Sequence, residues 1–469
     1  MTEKVVLRGL SEIRQHFFRD PTPIYYVCDM SYYLMGIDEW VRGFRYINMS
    51  DCFDGTHPHV LVPKQRPPYF DFPSLEAINT HLLEDEEVRA AIRARGPGKV
   101  VFLLFDERAV ELAKGLDLEV ILPPLAVRRE ADGKVSATRI GDRAGVPSVP
   151  NVLGRIDSYE ALREVAGHLG PDVVIQTPFG DSGTTTYFVS SEADWAKCAA
   201  EVAKEPEVKV MKRIRCRASA QEACVTRQGT VVGPLMTEIV GFPELTPYKG
   251  GWAGNEVTAD AFPASVRNAA REKTFRVGEE LRKIGYRGYF EIDYLTDLDT
   301  GELYMGEINP RITGASGMTN LAAFAHADAP LFLFHLLEFS DVEFELDVAE
   351  LNRRWSDPKN IDDWSQLVIK FTEDRQARTV AAPRTGVWRL DEDGAKFERL
   401  QTHRRTVDDE QHAFFLRHMT VGEELCKGMD LGILVTRGRL MTDDYQLTER
   451  ARRWIAEIRA QFRFEDVPQ

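Results

Sequence analysis

The chain has 469 residues, of which 43% are hydrophobic and 28% charged, and its formal net charge is −15. That length allows roughly two to four domains with a sizeable buried core, in a composition ordinary for a soluble globular protein. The excess of acid argues against nucleic acid or an anionic membrane as the main partner, although Mg²⁺ can still mediate between carboxylates and a nucleotide's phosphates. The six cysteines, at 28, 52, 198, 216, 224 and 426, form no CxxC pair and no Cys/His zinc spacing, which fits free thiols in a reducing compartment. Residues Met1 to Arg8 lack the apolar core of a signal peptide, and the longest apolar runs, such as Val100 to Phe105, are strand-sized. A cytoplasmic protein is expected.

Residues 1–130 alternate short apolar runs (Ile24 to Cys28, Arg45 to Met49, Val100 to Phe105, Glu119 to Leu122) with helical patterns, among them Ser74 to Arg95 with Ser74 as N-cap. The alternation predicts an α/β domain with a mainly parallel sheet, and with no GxGxxG after any of these strands a dinucleotide fold is not supported. His57 and His59 lack a neighbouring acid or cysteine that would complete a metal set. Residues 131–340 carry the chemistry. Lys134 opens a short helix, and Val173 to Val189 reads as strand, small-residue loop, strand, with Gly180, Ser182, Gly183, Thr184 and Thr185 in the loop. Glycines and hydroxyls in that pattern allow backbone N–H groups to approach a phosphate, although a plain hairpin has the same signature. Val208 to Arg215 is a strand, and the basic residues 212, 213, 215 and 217 in and after it suit a phosphate or a solvated edge. The loop Lys249-Gly-Gly-Trp252 could fold over a substrate or be structural. Leu321 to Phe339 is an apolar helix pair broken at Pro330, and Asp341 to Asp363 reads as a linker. From Trp364 onward, strands at Leu367 to Phe371, Gly386 to Leu390 and Gly432 to Val435, closed by a helix from Leu447 to Phe462, predict an α+β domain over 341–469.

The most informative stretch is Tyr289-Phe-Glu-Ile-Asp293 with Glu307-Ile-Asn-Pro-Arg311, two strand patterns joined by a turn at Leu298 to Gly301. Strand alternation puts Glu307, Asn309 and Arg311 on one face, where Asp293 can join them. Carboxylate and amide oxygens are hard ligands suited to Mg²⁺, and an arginine beside them suits phosphate charge. The face is expected to hold a Mg-nucleotide; a hairpin with a solvated polar face is the plainer alternative.

Asp293 with Glu307-Ile-Asn309-Pro-Arg311 resembles the metal-binding strand pair of the ATP-grasp enzymes. Gly133-Lys134-Val-Ser-Ala with Ala144-Gly-Val-Pro is similar to the opening of biotin carboxylase-like ATP-grasp domains. The resemblance implies an ATP-grasp fold with an N-terminal α/β pre-ATP-grasp domain (1–130), a core (131–340) and a C-terminal α+β domain (341–469). It implies ATP contacts at Lys134, Gln176, Gly180, Ser182, Gly183, Thr184, Thr185, Lys212, Ile214 and Glu222. Metal ligation falls to Asp293, Glu307 and Asn309, with one or two Mg²⁺ ions (Mn²⁺ can substitute), and charge stabilisation to Arg311. Gln176 stands where biotin carboxylases have a second ATP lysine, and Lys212 where they have an acid. Their Glu-His pair after the metal strand is replaced by Gly314-Ala-Ser-Gly317, and no Met-Lys-Met biotinyl signature occurs. The small-residue loop resembles the carboxylate–amine ligase branches, and the overall layout resembles the pheganomycin-type peptide ligases. That resemblance implies a carboxylate activated as an acyl phosphate and joined to an amine, with Gly314, Ser316, Lys249 and Trp252 as substrate-binding candidates. Family members often pair, which admits a homodimer. A bicarbonate-dependent carboxylase and a non-catalytic nucleotide-binding module remain the alternatives.

Overall fold

The computed structural model describes residues 6–180, 185–321, 328–403 and 407–467. Near its N-terminus five parallel strands lie in the order 60–61, 44–48, 24–28, 98–102, 118–120. The middle strand, Ile24–Cys28, is buried along its whole length, so its apolar run is unbroken rather than alternating. Tyr25 and Val27 pack with Ile78, Leu82, Val88 and Leu112 of the flanking helices. Tyr26 and Cys28 face the other way, into the largest core cluster with Phe332, Phe334 and Trp364. The expected parallel α/β sheet is therefore present. The single helix expected over 74–95 is two, Leu75–Glu84 and Glu86–Arg93, because the Asp85 backbone turns extended and its carboxylate caps Val88 N–H at 3.0 Å.

A ten-stranded antiparallel sheet dominates the rest, in the order 303–309, 288–297, 216–226, 229–240, 252–257, 364–370, 430–437, 412–417, 386–391, 394–399. Strand 252–257 pairs directly with 364–370, so one sheet runs through both the central and the C-terminal regions. The 341–363 segment is no open linker. Glu343–Glu345 pairs in parallel with Val6–Arg8, and helix Val348–Trp355, capped by Asp347, buries Val348, Leu351 and Trp355. Asn352 of that helix bonds Val232 N–H and Thr230 O, which welds it to the large sheet.

A smaller antiparallel sheet, 151–154, 208–212, 173–176, 186–189, has its own core around Ile156, Leu162, Ile175, Trp195 and Val208. It meets the edge of the large sheet at Ser148, whose hydroxyl donates to Met305 O at 2.7 Å, and at Pro147, whose carbonyl accepts from Met305 N at 3.1 Å. No helix among the described residues is long and apolar enough to cross a membrane.

Candidate active site

Side-chain alternation divides strand Gly288–Asp297 in two. Phe290, Ile292 and Tyr294 pack against helix Ala264–Lys283 through Ala270, Val277 and Leu281. Tyr289, Glu291 and Asp293 take the opposite face. Across the strand pair Asp293 stands opposite Glu307 and Glu291 opposite Asn309, with a bulge after Asp293. On the other side Glu222 stands opposite Glu291. Three neighbouring strands thus present a row of Glu222, Glu291 and Asn309, with Asp293 and Glu307 in the next row.

Asn309 ties the rows together: its Nδ2 donates to Glu291 Oε2 and to Asp293 Oδ2, both at 3.3 Å, and its Oδ1 accepts from Arg311 Nη2 at 3.2 Å. Arg311 arrives by a different route from strand alternation. The strand ends at Asn309 because Pro310 has no N–H to continue the ladder, and Arg311 N–H turns back onto Asn309 O at 2.8 Å. Lys134 is buried at the start of helix Lys134–Arg143, 3.4 Å from Glu307 Oε2, and its ammonium also donates to Gly180 O. Gly180 has φ +138°, and a Cβ there would lie 2.3 Å from the Thr185 side chain, so only glycine fits. Gln176 donates to Thr186 Oγ1 at 3.3 Å, while its own Oε1 and the Thr185 hydroxyl are buried without partners. Ser182, Gly183 and Thr184 lie outside the described residues.

The electrostatics are those of crowded acids. Burial, then the charges of Glu238, Glu291 and Glu307, push the Asp293 carboxyl well above its ordinary range. Burial with Glu222 and Glu238 does the same to Glu291, and burial with Glu307 lifts Glu238 to about 7. Asp293 Oδ1 is buried with no hydrogen-bond partner. Among the described residues no three His, Cys, Asp or Glu side chains converge as a metal cluster, so the donor set is two carboxylates and an amide. Hard oxygens, an orphaned buried carboxylate oxygen and surplus negative charge suit a divalent cation.

Other expected contacts do not converge here. Glu222 is wholly buried and its oxygens are taken by Ser316 Oγ at 2.5 Å, Tyr289 OH at 2.6 Å, Thr313 Oγ1 at 3.2 Å and the Thr319 hydroxyl. It anchors the loop after Arg311 and offers nothing to a nucleotide, and the Ser316 hydroxyl is occupied with it. Gly314 lies against the Trp252 ring, where a Cβ would come within 2.2 Å, so both shape that loop. Lys249 is exposed. Lys212 is exposed at a strand end, and Ile214 packs beside Val149, Val174 and Met211. Arg213 lies over Phe188, Arg215 pairs with Asp299 at 3.2 Å, and Arg217 is buried against Thr237 and Tyr445, so the basic run does not line one site.

Sequence reasoning missed three charged groups. Glu291 carried a readable signal, two residues before Asp293 on the same strand face. Glu238 and Lys209 come from distant strands, each a charge inside an apolar run. Lys209 is fully buried directly opposite Gln176 and donates to Ser148 Oγ at 2.6 Å and Gly306 O at 3.3 Å. Burial lowers its ammonium to about 8 against the pull of Glu307.

No family model matches the sequence. Over 252 residues the chain is 23% identical to the α subunit of mitochondrial methylcrotonoyl-CoA carboxylase from Oryza sativa subsp. japonica, covering 50% of this chain and 32% of that protein. The match thus spans about a third of the relative's length. Among solved structures it is similar to the biotin carboxylase domain of Hydrogenobacter thermophilus 2-oxoglutarate carboxylase in complex with MgADP, ADP and bicarbonate. That match has a TM-score of 0.61 at 11% identity, over 90% of this chain and 87% of the other. It is similar also to Campylobacter jejuni biotin carboxylase (TM-score 0.58, 13% identity, 89% and 87%) and to an ADP complex of N5-carboxyaminoimidazole ribonucleotide synthetase (0.56, 13%, 98% and 100%). The fold is therefore the ATP-grasp fold. Within it the chain shares the architecture of biotin carboxylases and N5-carboxyaminoimidazole ribonucleotide synthetases, as its motifs between 134 and 317 imply.

Proposed function

We propose that the protein is an ADP-forming ligase that uses ATP to activate a carboxylate as an acyl phosphate and joins it to an amine. An amino acid or peptide is the carboxylate in this reading. The observation that carries it is the opposed pair Asp293–Glu307, braced by Asn309 and Arg311 on one side and Lys134 on the other. The complexes of the structural neighbours with MgADP and ATP support Mg-nucleotide as the occupant. Asp293, Glu307 and Asn309 would hold Mg²⁺, which when bound neutralises phosphate charge.

In this reading Lys134 and the loop around Gly180 and Thr185 hold the nucleotide phosphates. Gln176 supplies hydrogen bonds but no charge at its position. The Arg311 guanidinium, free at Nε, faces negative charge that develops on the transferring phosphoryl group and on the tetrahedral adduct. The amine attacks the acyl carbon, phosphate leaves, and the amine proton is lost to the departing phosphate or solvent. The division into 1–130, 131–340 and 341–469, and a homodimer like the dimeric neighbour domain, belong to the same proposal.

A second reading, a bicarbonate-dependent carboxylase, is favoured by the carboxylases among the relatives. Nucleotide product analysis separates the two. Purified protein with Mg-ATP is offered amino acids and short peptides, with and without bicarbonate. ADP that requires both a carboxylate and an amine supports the ligase. ADP that requires only bicarbonate supports the carboxylase, and AMP with pyrophosphate overturns the acyl phosphate.

A further inference from the structure

The bulge beside Asp293 decides which way Glu307 faces. Leu303, Met305 and Ile308 belong to the core packed against helix Ala264–Lys283. Leu303 and Met305 are two residues apart, as alternation requires, and an unbroken strand would send residue 307 into the same core. Instead Met305 stands opposite Tyr294 and Glu307 opposite Asp293, which leaves Gly306 as an extra residue without a partner on strand Gly288–Asp297. The insertion shifts the phase by one, so Ile308 takes the core side and Glu307 joins the acids. Space at the bulge is short: a Cβ on Gly306 would lie 3.1 Å from Asp293 O.

An inserted residue loses its rungs in the ladder, and its peptide groups need other partners. The small sheet supplies them. Ser148 Oγ donates to Met305 O at 2.7 Å, while the Lys209 ammonium donates to Ser148 Oγ at 2.6 Å and to Gly306 O at 3.3 Å. One cation thus holds the peptide carbonyls on both sides of Gly306, one directly and one through a hydroxyl. Lys209 is fully buried and, among the described residues, forms no ion pair. A link that served stability alone would not need that charge, because a buried ammonium is costly and a neutral donor could close the same bonds. The acid whose charge acts on it most strongly is Glu307, the residue that the bulge turns. Lys209 also gives a reason for the neutral Gln176 directly opposite it: a lysine there would set two ammonium groups side by side.

We propose that Lys209 is a positioning residue for the metal: it fixes the bulge at Gly306 and so holds the Glu307 carboxylate toward Asp293. The assignment rests on the Mg-nucleotide reading of that acid pair. Removing Lys209 has two effects of opposite sign. Loss of a nearby positive charge would by itself strengthen cation binding. Loss of the carboxylate's placement weakens it, by about 10–100-fold for a group standing behind a metal ligand.

The test is Mn²⁺ binding to the full chain without nucleotide, followed by electron paramagnetic resonance. In Lys209→Met the half-saturating Mn²⁺ concentration rises by at least about tenfold. Gly306→Ala raises it in the same direction with no charge changed, because the new Cβ crowds Asp293 O; this variant decides the matter if circular dichroism shows Lys209→Met unfolded. Asn352→Ala, which cuts the weld between helix Val348–Trp355 and the large sheet, lowers the Tm and leaves Mn²⁺ binding at the wild-type value. Equal or tighter Mn²⁺ binding in folded Lys209→Met, or unchanged binding in Gly306→Ala, overturns the positioning role while the metal reading stands. Absence of Mn²⁺ binding by the wild type removes the metal reading, and the positioning role with it.

Discussion

Glu222 and Asp293 are carboxylates on neighbouring strands of one sheet, the first wholly buried and the second half-buried, and their surroundings are opposite. Burial raises the Glu222 carboxyl pKa, and hydroxyl donors from Ser316, Thr319, Tyr289 and Thr313 pull it back by stabilising the carboxylate. Asp293 receives one amide N–H, keeps an orphaned oxygen, and faces Glu238, Glu291 and Glu307. A saturated acid is a structural anchor, whereas an unsaturated one among like charges is destabilised until a cation arrives. The count of donors tells the two apart.

Removing an acid from each environment breaks or sharpens this contrast. The largest effect is expected at the strand pair. Glu307→Gln or Asp293→Asn should lower ADP release by at least about 10²–10³-fold while leaving the far-UV spectrum and Tm at or above the wild-type values. An active, Mg-dependent Glu307→Gln enzyme would refute the metal assignment. Glu222→Leu should do the reverse, destabilising the fold by about 3 kcal/mol in urea titrations because several buried hydroxyls lose a charged acceptor. A silent Glu222→Leu would mean that the loop after Arg311 does not need this anchor. Next, Mg²⁺ or Mn²⁺ without nucleotide should raise the wild-type Tm by a few degrees, reversibly with chelator, and leave Asp293→Asn unmoved.

The smallest effect is a pH dependence. Folding raises the carboxyl pKa of Glu238 from the usual 4.5 to about 7 and lifts Asp293 and Glu291 in the same direction. The folded state therefore keeps protons that the unfolded chain has released. Stability contributed by Glu238 is full below about 4.5 and is lost as pH rises through about 7. The metal-free protein should unfold more readily at pH 7.5 than at pH 5 in calorimetry, and Glu238→Gln should flatten the slope.

Much of this architecture was legible in the chain because local pattern and burial agree. The N-terminal runs are continuous because both faces of the sheet are covered, and the apolar residues at 290, 292 and 294 alternate with acids because they meet helix Ala264–Lys283 while 291 and 293 point to the opposite face. What failed were signals that depend on distant partners. The 341–363 segment looks polar, yet Asp347 caps a helix whose buried residues, at 348, 351, 352 and 355, line one face. Arg311 reaches Asn309 by a turn imposed by Pro310 rather than by alternation. Lys209 and Glu238 gain meaning only from strands that the sheet order brings beside them. Glu291, by contrast, was visible by the alternation that singled out Asp293.

The pairing of strand 252–257 with strand 364–370 bears on how the molecule can be divided. A fragment ending near residue 340 would leave Trp252–Val257 with one bare backbone edge, an open template for intermolecular pairing. Such a fragment should be recovered as aggregate, and the nucleotide-binding half cannot be exchanged between homologues as a cassette without the C-terminal strands. The strands after residue 364 therefore complete the sheet that carries the candidate site.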